Sequence, residues 1–259
     1  MKYCVKSRQP ISVLRKADEI RVEYRDREQI LDFYEKLAAD KVYLITIPAD
    51  IEIDQPFIEM LAEKGNIILE LYRLNLSVIQ WCKEKEIKWY WSFPITTFYE
   101  LKNIAALAPS YLLLGAPLSF SLDKVRKLNI PIRLIANEAG LAYLPTLNGI
   151  FGSWVRPEGI PAYEKYVDVL EFVSDTLEQE ATYLKIYSEQ KHFSGNLNLL
   201  IKHLNIDVNN EDIPFEVDET RTTCGQRCME KNLCHFCTTG IRFARSVEKL
   251  KNSVENLNK

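Results

Sequence analysis

Four of the six cysteines in this chain fall within the stretch CGQRCMEKNLCHFC, from Cys224 to Cys237, spaced C-x3-C-x5-C-x2-C. A thiolate is a soft, anionic ligand. Four of them close a tetrahedral site around Zn²⁺ or hold the corners of an iron–sulfur cluster. Cys224 with Cys228 forms one short knuckle and Cys234 with Cys237 another, and five residues let the chain turn between them. Gly225 supplies backbone freedom in the first knuckle. The C-x2-C pair is zinc-like, whereas zinc ribbons use C-x3-C less often. His235 sits inside the second knuckle and could replace one sulfur. The expected cofactor is zinc, with a [4Fe–4S] cluster as the alternative. The competing readings are two disulfides or four thiols without metal. Cys4 and Cys82 lie far away and read as plain buried thiols.

The charge around the cluster changes sign along the chain. Residues 205–220 carry Asp207, Glu211, Asp212, Glu216, Asp218 and Glu219 without a base, which is the composition of a linker. Arg221, Arg227, Lys231, Arg242, Arg245, Lys249 and Lys251 follow, against only Glu230 and Glu248. Four thiolates around zinc leave a net negative site, so these bases first read as compensation. A phosphate- or RNA-binding knuckle is the sharper reading, but the patch is small for phosphate-driven affinity. A net charge of −3 points the same way. Nucleic acid is therefore not the expected partner; a protein partner is open.

A second set of chemical candidates lies on short apolar runs. In EIRVEY from Glu19, Arg21 and Glu23 alternate with Val22 and Tyr24. A strand places alternate residues on opposite faces. The same parity argument turns Lys6, Glu70, Arg133 and Arg156 to the face bearing Arg21 and Glu23. With Asn137, Glu138, Pro157 and Glu158 these supply the candidate catalytic group Lys6, Glu23, Glu70, Glu138 and Arg156. Arginine beside carboxylates could clamp an anionic substrate and move protons. The bland alternative is an ion network filling a protein interior, since several buried charges are costly unless paired.

The elements positioning these residues are legible as a repeat. Runs begin at Lys2, Glu19, Lys41, Asn66, Ile87, Ser110, Ile130 and Gly152, roughly 20 residues apart, the length of a βα unit with short loops. Asp26 can cap REQILDFYEKLAA, and Asp54 can cap QPFIEMLAEKG. Leu74 to Lys85, Thr97 to Leu107 and Ser121 to Leu128 are helix-like, while Gly140 to Asn148 is the poorest helix of the set. Alternation of this kind predicts a compact α/β fold, a (β/α)8 TIM-barrel-like domain. An open doubly wound sheet is the runner-up, weakened by the lack of a G-x-G-x-x-G turn. Pro48, Pro94 and Pro117 end three strands on the face where barrels bind ligands. Trp89, Tyr90 and Trp91 could stack on a base or sugar, though aromatics more often fill a core.

After Pro161, AYEKYVDVLEFVSDTLEQEATYLKIYSEQ shows apolar residues at helical spacing and predicts one long helix. The expected organisation is a barrel core over 1–160, the long helix and a short one over 161–204, an acidic linker over 205–220, and a cysteine knuckle with a final helix over 221–259. Composition is that of an ordinary globular chain, 47% hydrophobic and 27% charged over 259 residues. No stretch has the pattern of a signal peptide or a membrane span, so the expectation is a cytoplasmic protein without membrane contact. P-loop, serine-hydrolase and zincin motifs are missing. The sequence thus supports a metal-binding barrel acting as a scaffold or interaction protein, or alternatively an enzyme with a polar barrel-mouth site for a small anionic substrate. Oligomeric state is not legible.

Overall fold

The computed structural model of the chain describes residues 1–6, 8–9, 11–25, 27–36, 41–137, 155–200, 209–212, 218–219 and 222–224. Eight parallel strands form one sheet in the order β5-β4-β3-β2-β1-β8-β7-β6. They are β1 Lys2–Lys6, β2 Glu19–Glu23, β3 Val42–Ile47, β4 Asn66–Leu71, β5 Lys88–Trp91, β6 Leu112–Leu114, β7 Ile132–Ile135 and β8 Val169–Glu171. β1 pairs with both β2 and β8, with Cys4 opposite Glu19 on one side and Glu171 on the other. The remaining gap, between β5 and β6, is bridged at Ile95 and Leu114. There Ile95 N–H donates to Leu113 O and Gly115 N–H to Ile95 O, both at 2.8 Å. The sheet is therefore a nearly closed barrel, as the strand spacing predicts.

The helices are α1 Ile11–Leu14, α2 Arg27–Lys36, α3 Gln55–Lys64, α4 Leu76–Glu84, α5 Phe98–Ala106, α6 Leu122–Val125, α7 Ile160–Tyr163 and α8 Leu177–Glu189. Their starts follow local chemistry. Asp54 accepts from Phe57 N–H at the start of α3. Thr97 and Glu100 form a reciprocal capping box on α5. Asn75 accepts from Ser77 N–H before α4. The Ser121 to Leu128 stretch is shorter and tighter than expected: a 3-10 turn over Ala116–Ser121, one turn of α6, then a second 3-10 turn over Arg126–Leu128.

Two apolar layers result. Ile20, Val22, Ile45, Leu69, Leu112 and Leu134 pack outward against the helices, while Cys4, Leu44, Ile68, Tyr90, Leu113 and Val169 fill the barrel axis. Burial pushes the Cys82 thiol up to about 12 and the Cys4 thiol higher still, so both stay protonated.

The sequence expectations for the last strand and the helix after it need correction. The eighth strand is Val169–Glu171, not the run 152–156. Of that run, Val155 and Arg156 are described, and neither is in a strand. The stretch after Pro161 is accordingly not one helix. α7 is a single turn, β8 follows, and α8 starts only at Leu177. Tyr166, Val169, Leu170 and Val173 satisfy a helical spacing by coincidence, but Val169 is β-branched and favours the strand it joins. Thr176 then accepts from Gln179 N–H, and Gln179 Oε1 accepts from Asp175 N–H, which begins a new helix. The barrel therefore continues past residue 160.

Candidate functional site

The alternation in β2 puts Glu19 and Arg21 on the barrel axis, and the register brings charged residues of β4, β7 and β8 to meet them. Arg133 Nη2 lies 2.7 Å from Glu19 Oε2, and Arg133 Nε donates to Glu171 Oε1 at 2.5 Å. The other Glu171 oxygen takes Arg21 Nη2 at 2.6 Å. Arg21 Nε is 2.9 Å from Glu70 Oε2. Glu70 also accepts from Thr46 Oγ1 at 2.6 Å and Ser92 Oγ at 3.0 Å. The result is a continuous chain, Glu19–Arg133–Glu171–Arg21–Glu70, threaded through the lumen. Tyr90 Oη accepts from Arg21 at 3.2 Å. The Arg133 guanidinium carbon lies 4.9 Å from the Tyr90 ring centre and 5.1 Å from that of Tyr111. These ring faces supply favourable quadrupole contact to a cation with 0% of its side chain exposed.

The two ends of the chain differ electrostatically. Burial works against the charge on Glu171, but Arg21 and Arg133 outweigh it and hold its pKa down at about 2. For Glu19, burial wins over the attraction of Arg133 and, more weakly, Lys2, and its pKa is raised. The Glu171 carboxylate adds to the effect of burial, while Arg133, 2.7 Å away, works against both. Burial also opposes the charges on Arg21 and Arg133, and Glu171 more than restores them. Three carboxylates therefore face two guanidinium groups.

Of the sequence candidates, Glu70 joins this chain directly. Lys6 does not: its Nζ donates to Ser174 O at 3.3 Å. Its backbone N–H points to Glu180. Glu23, expected inside, is exposed at the end of β2. Arg156 lies in a different cluster, where Nε and Nη2 donate to Asp218 Oδ2 at 2.9 and 2.6 Å. Its Nη1 lies 3.4 Å from Glu158. Asn210 donates to Glu158 Oε1 and, at 2.8 Å, to Phe193 O. Asn137 ties the ends of β7 and β8 by accepting from Val173 N–H and donating to Val173 O. Glu138, Cys228, Cys234, Cys237 and His235 lie outside the described residues. Among those described, no group of three or more His, Cys, Asp or Glu could hold a metal.

Sequence reasoning missed Glu19, Thr46, Tyr90, Ser92, Glu171, Asn210 and Asp218. Glu19 was within reach, being two residues before Arg21 on the same face.

The face where the strands end carries two further features. A cleft of about 390 Å³ opens between the segments after β3 and β4, lined by Pro48, Asp50, Glu52, Gln55, Arg73 and Asn75 among others. Beside it stands an aromatic ledge. Phe93 packs 5.8 Å from Tyr72 and 5.6 Å from Trp91, ring centre to ring centre. Leu76, Phe98 and Tyr99 are exposed on the helices that follow, Tyr99 by 77%. Trp89 and Tyr90, by contrast, are core residues.

Fold and lumen together define a parallel eight-stranded α/β barrel with an ionic interior. No protein-family model matches the chain. No curated protein matches it in sequence. Among solved structures it is similar to a 4-hydroxy-2-oxoglutarate/2-dehydro-3-deoxyphosphogluconate aldolase, with TM-score 0.44, 10% identity, and coverage of 72% of this chain and 92% of that one. It is also similar to a cube-shaped protein cage designed by fusing symmetric oligomeric domains, with TM-score 0.44, 12% identity, and coverage of 73% and 70%. The barrel assignment rests on the strand order. Among the described residues, no helix is long and apolar enough to cross a membrane.

Proposed function

We propose that this chain is a barrel scaffold that acts by binding or assembling with a protein partner, and that its four cysteines hold one structural metal, zinc in preference to an iron–sulfur cluster. The observation that supports the scaffold reading is the lumen. Both of its guanidinium groups are neutralised by carboxylates, and the candidate residues Lys6, Glu23 and Arg156 do not converge on Glu70. Such an interior holds strands in place rather than turning charge toward a substrate. The exposed ledge at Tyr72, Phe93 and Tyr99 suits association, since aromatic side chains are favoured at interfaces. Cys224, Cys228, Cys234 and Cys237 supply the number and type of ligands for a closed zinc site.

One observation favours the enzyme reading. The Arg21 side chain keeps 23% exposure beside Glu70, and the nearby cleft lies on the face where such barrels bind ligands. Metal analysis and a visible spectrum of protein purified without added metal separate the readings. One zinc per chain and a colourless protein are expected. Broad absorption near ~400 nm, from thiolate-to-iron transitions, would sink the structural-zinc proposal and favour redox or sulfur chemistry.

A further inference from the structure

We infer that the cleft between the segments after β3 and β4 binds a small zwitterion of the α-amino acid class, its carboxylate toward Arg73 and its ammonium toward Glu52. This goes beyond the scaffold reading and uses neither the cysteines nor a metal.

The cleft, about 390 Å³, falls in the size range of small-molecule sites, ~300–1,000 Å³. Its two walls carry charges of opposite sign. Asp50 and Glu52 come from the segment after β3, and Arg73 from the segment after β4. Asp50 is engaged, its Oδ2 accepting from Arg25 Nη2 at 2.5 Å. Arg73 and Glu52 are exposed, and neither makes a hydrogen bond or an ion pair among the described residues. Scattered over a surface, such charges are ordinary. Lining one cleft, opposite charges attract, yet no Arg73 nitrogen comes within 4.0 Å of a Glu52 oxygen. A ligand bearing both charges meets both. A simple anion satisfies Arg73 and is repelled by Glu52, a simple cation the reverse. A neutral sugar leaves both charges unmet.

The starts of α3 and α4 set the ligand's direction. Asp54 caps α3 with a carboxylate, whereas Asn75 caps α4 with a neutral amide. The partial positive charge of a helix start is thus offset on the Glu52 wall and left standing beside Arg73. The carboxylate belongs on the α4 side and the ammonium on the other. Asn75 uses its Oδ1 for Ser77, which leaves its Nδ2 as a donor toward a ligand oxygen. Gln55, on the α3 wall, has no partner among the described residues and offers an acceptor to an ammonium. Between the walls, Ile47, Leu71 and Val78 give the cleft an apolar floor for an amino acid's side chain.

The test follows the amide NMR shifts of the full chain as glycine, L-alanine, L-leucine and L-phenylalanine are added one at a time. At least one should move the amides of residues 49–55 and 71–78 and leave that of Ala136, in the β7–β8 ladder, in place. For the tightest of the four, two analogues follow: its amide, which lacks the carboxylate, and its des-amino acid, which lacks the ammonium. Each should bind about fivefold more weakly, the scale of one exposed ion pair. Arg73→Gln should weaken the amino acid by the same factor and its amide not at all. Glu52→Gln should weaken the amino acid alike and the des-amino acid not at all. Four amino acids without effect on these amides overturn the inference, as does binding indifferent to the loss of either charge. Inorganic phosphate or glucose moving the same amides where the amino acids do not also overturns it, assigning the cleft to anions or to sugars. None of these outcomes bears on metal content or partner binding, so failure here is distinct from failure of the scaffold reading.

Discussion

The lumen and the rim each bury arginine against carboxylate, yet the two pairings run in opposite directions. Arg21 and Arg133 find Glu70, Glu171 and Glu19 because parallel strands hold them at fixed register. There the sheet places the ions. Asp218 reaches Arg156 across 62 residues of chain, and neither residue lies in a strand. There the ions place the chain. A charge network inside a barrel thus depends on a fold that already exists, whereas the pair at its edge joins residues far apart in the chain that no strand register aligns.

The lumen side of this contrast should break most completely at Glu171, which serves both arginines. Glu171→Gln is expected to cost about 3–5 kcal/mol of unfolding free energy, the range for removing one partner of a buried pair, measured by urea denaturation. A loss under 1 kcal/mol would mean that the sheet alone holds the arginines.

Acid sharpens the same point. The folded pKa of Glu171 is depressed from the ordinary carboxylate value of 4.5 to about 2. Its contribution is therefore present above pH 4.5 and lost as pH falls toward 2, by about 3 kcal/mol through proton linkage. Glu19 opposes it. Its raised pKa gives a contribution that is present at low pH and lost as pH rises through the folded value. The urea midpoint of the unaltered chain should fall between pH 4.5 and pH 2, and that of Glu171→Gln should be flatter in this window.

Smaller effects separate the ends of the network. Glu19→Gln should cost about 1 kcal/mol or less at pH 7, because the lost attraction to Arg133 is offset by relief of a poorly satisfied buried charge. Tyr90→Phe should also cost about 1 kcal/mol. It removes the hydroxyl that accepts from Arg21 and keeps the ring under Arg133. A larger loss for Glu19→Gln than for Glu171→Gln would reverse the assignment of the strong end.

Much of the lumen was legible beforehand. Seven strands announce themselves by spacing, and the parity of Arg21 against Val22 and Tyr24 correctly turns the arginine inward. The pairing of an inward base with Glu70 follows from the cost of burying charge alone, and Arg21 supplies it. Glu171 was hidden because β8 has three residues, too few for period two to show against a helical spacing. Lys6 shares the parity, yet its long flexible stem takes the ammonium to Ser174 O instead. The rim was illegible for a different reason. Asp218 looks like one acid among six in an apolar-poor stretch, and only a three-dimensional neighbour distinguishes it.

The join between β5 and β6 has a mechanical consequence. Every other neighbouring pair is a continuous ladder, whereas here the strands meet through Ile95 and Leu114, with Ser110 N–H donating to Trp89 O below. Even that approach depends on a missing side chain, since a Cβ on Gly115 would lie 3.0 Å from Thr96 Cγ2. The barrel behaves as a hoop with one light rivet. Under tension or thermal breathing it parts along this line while the other staves stay bonded. The amides of Ile95 and Gly115 should then trade their protons with solvent long before those of β2, β3 and β4.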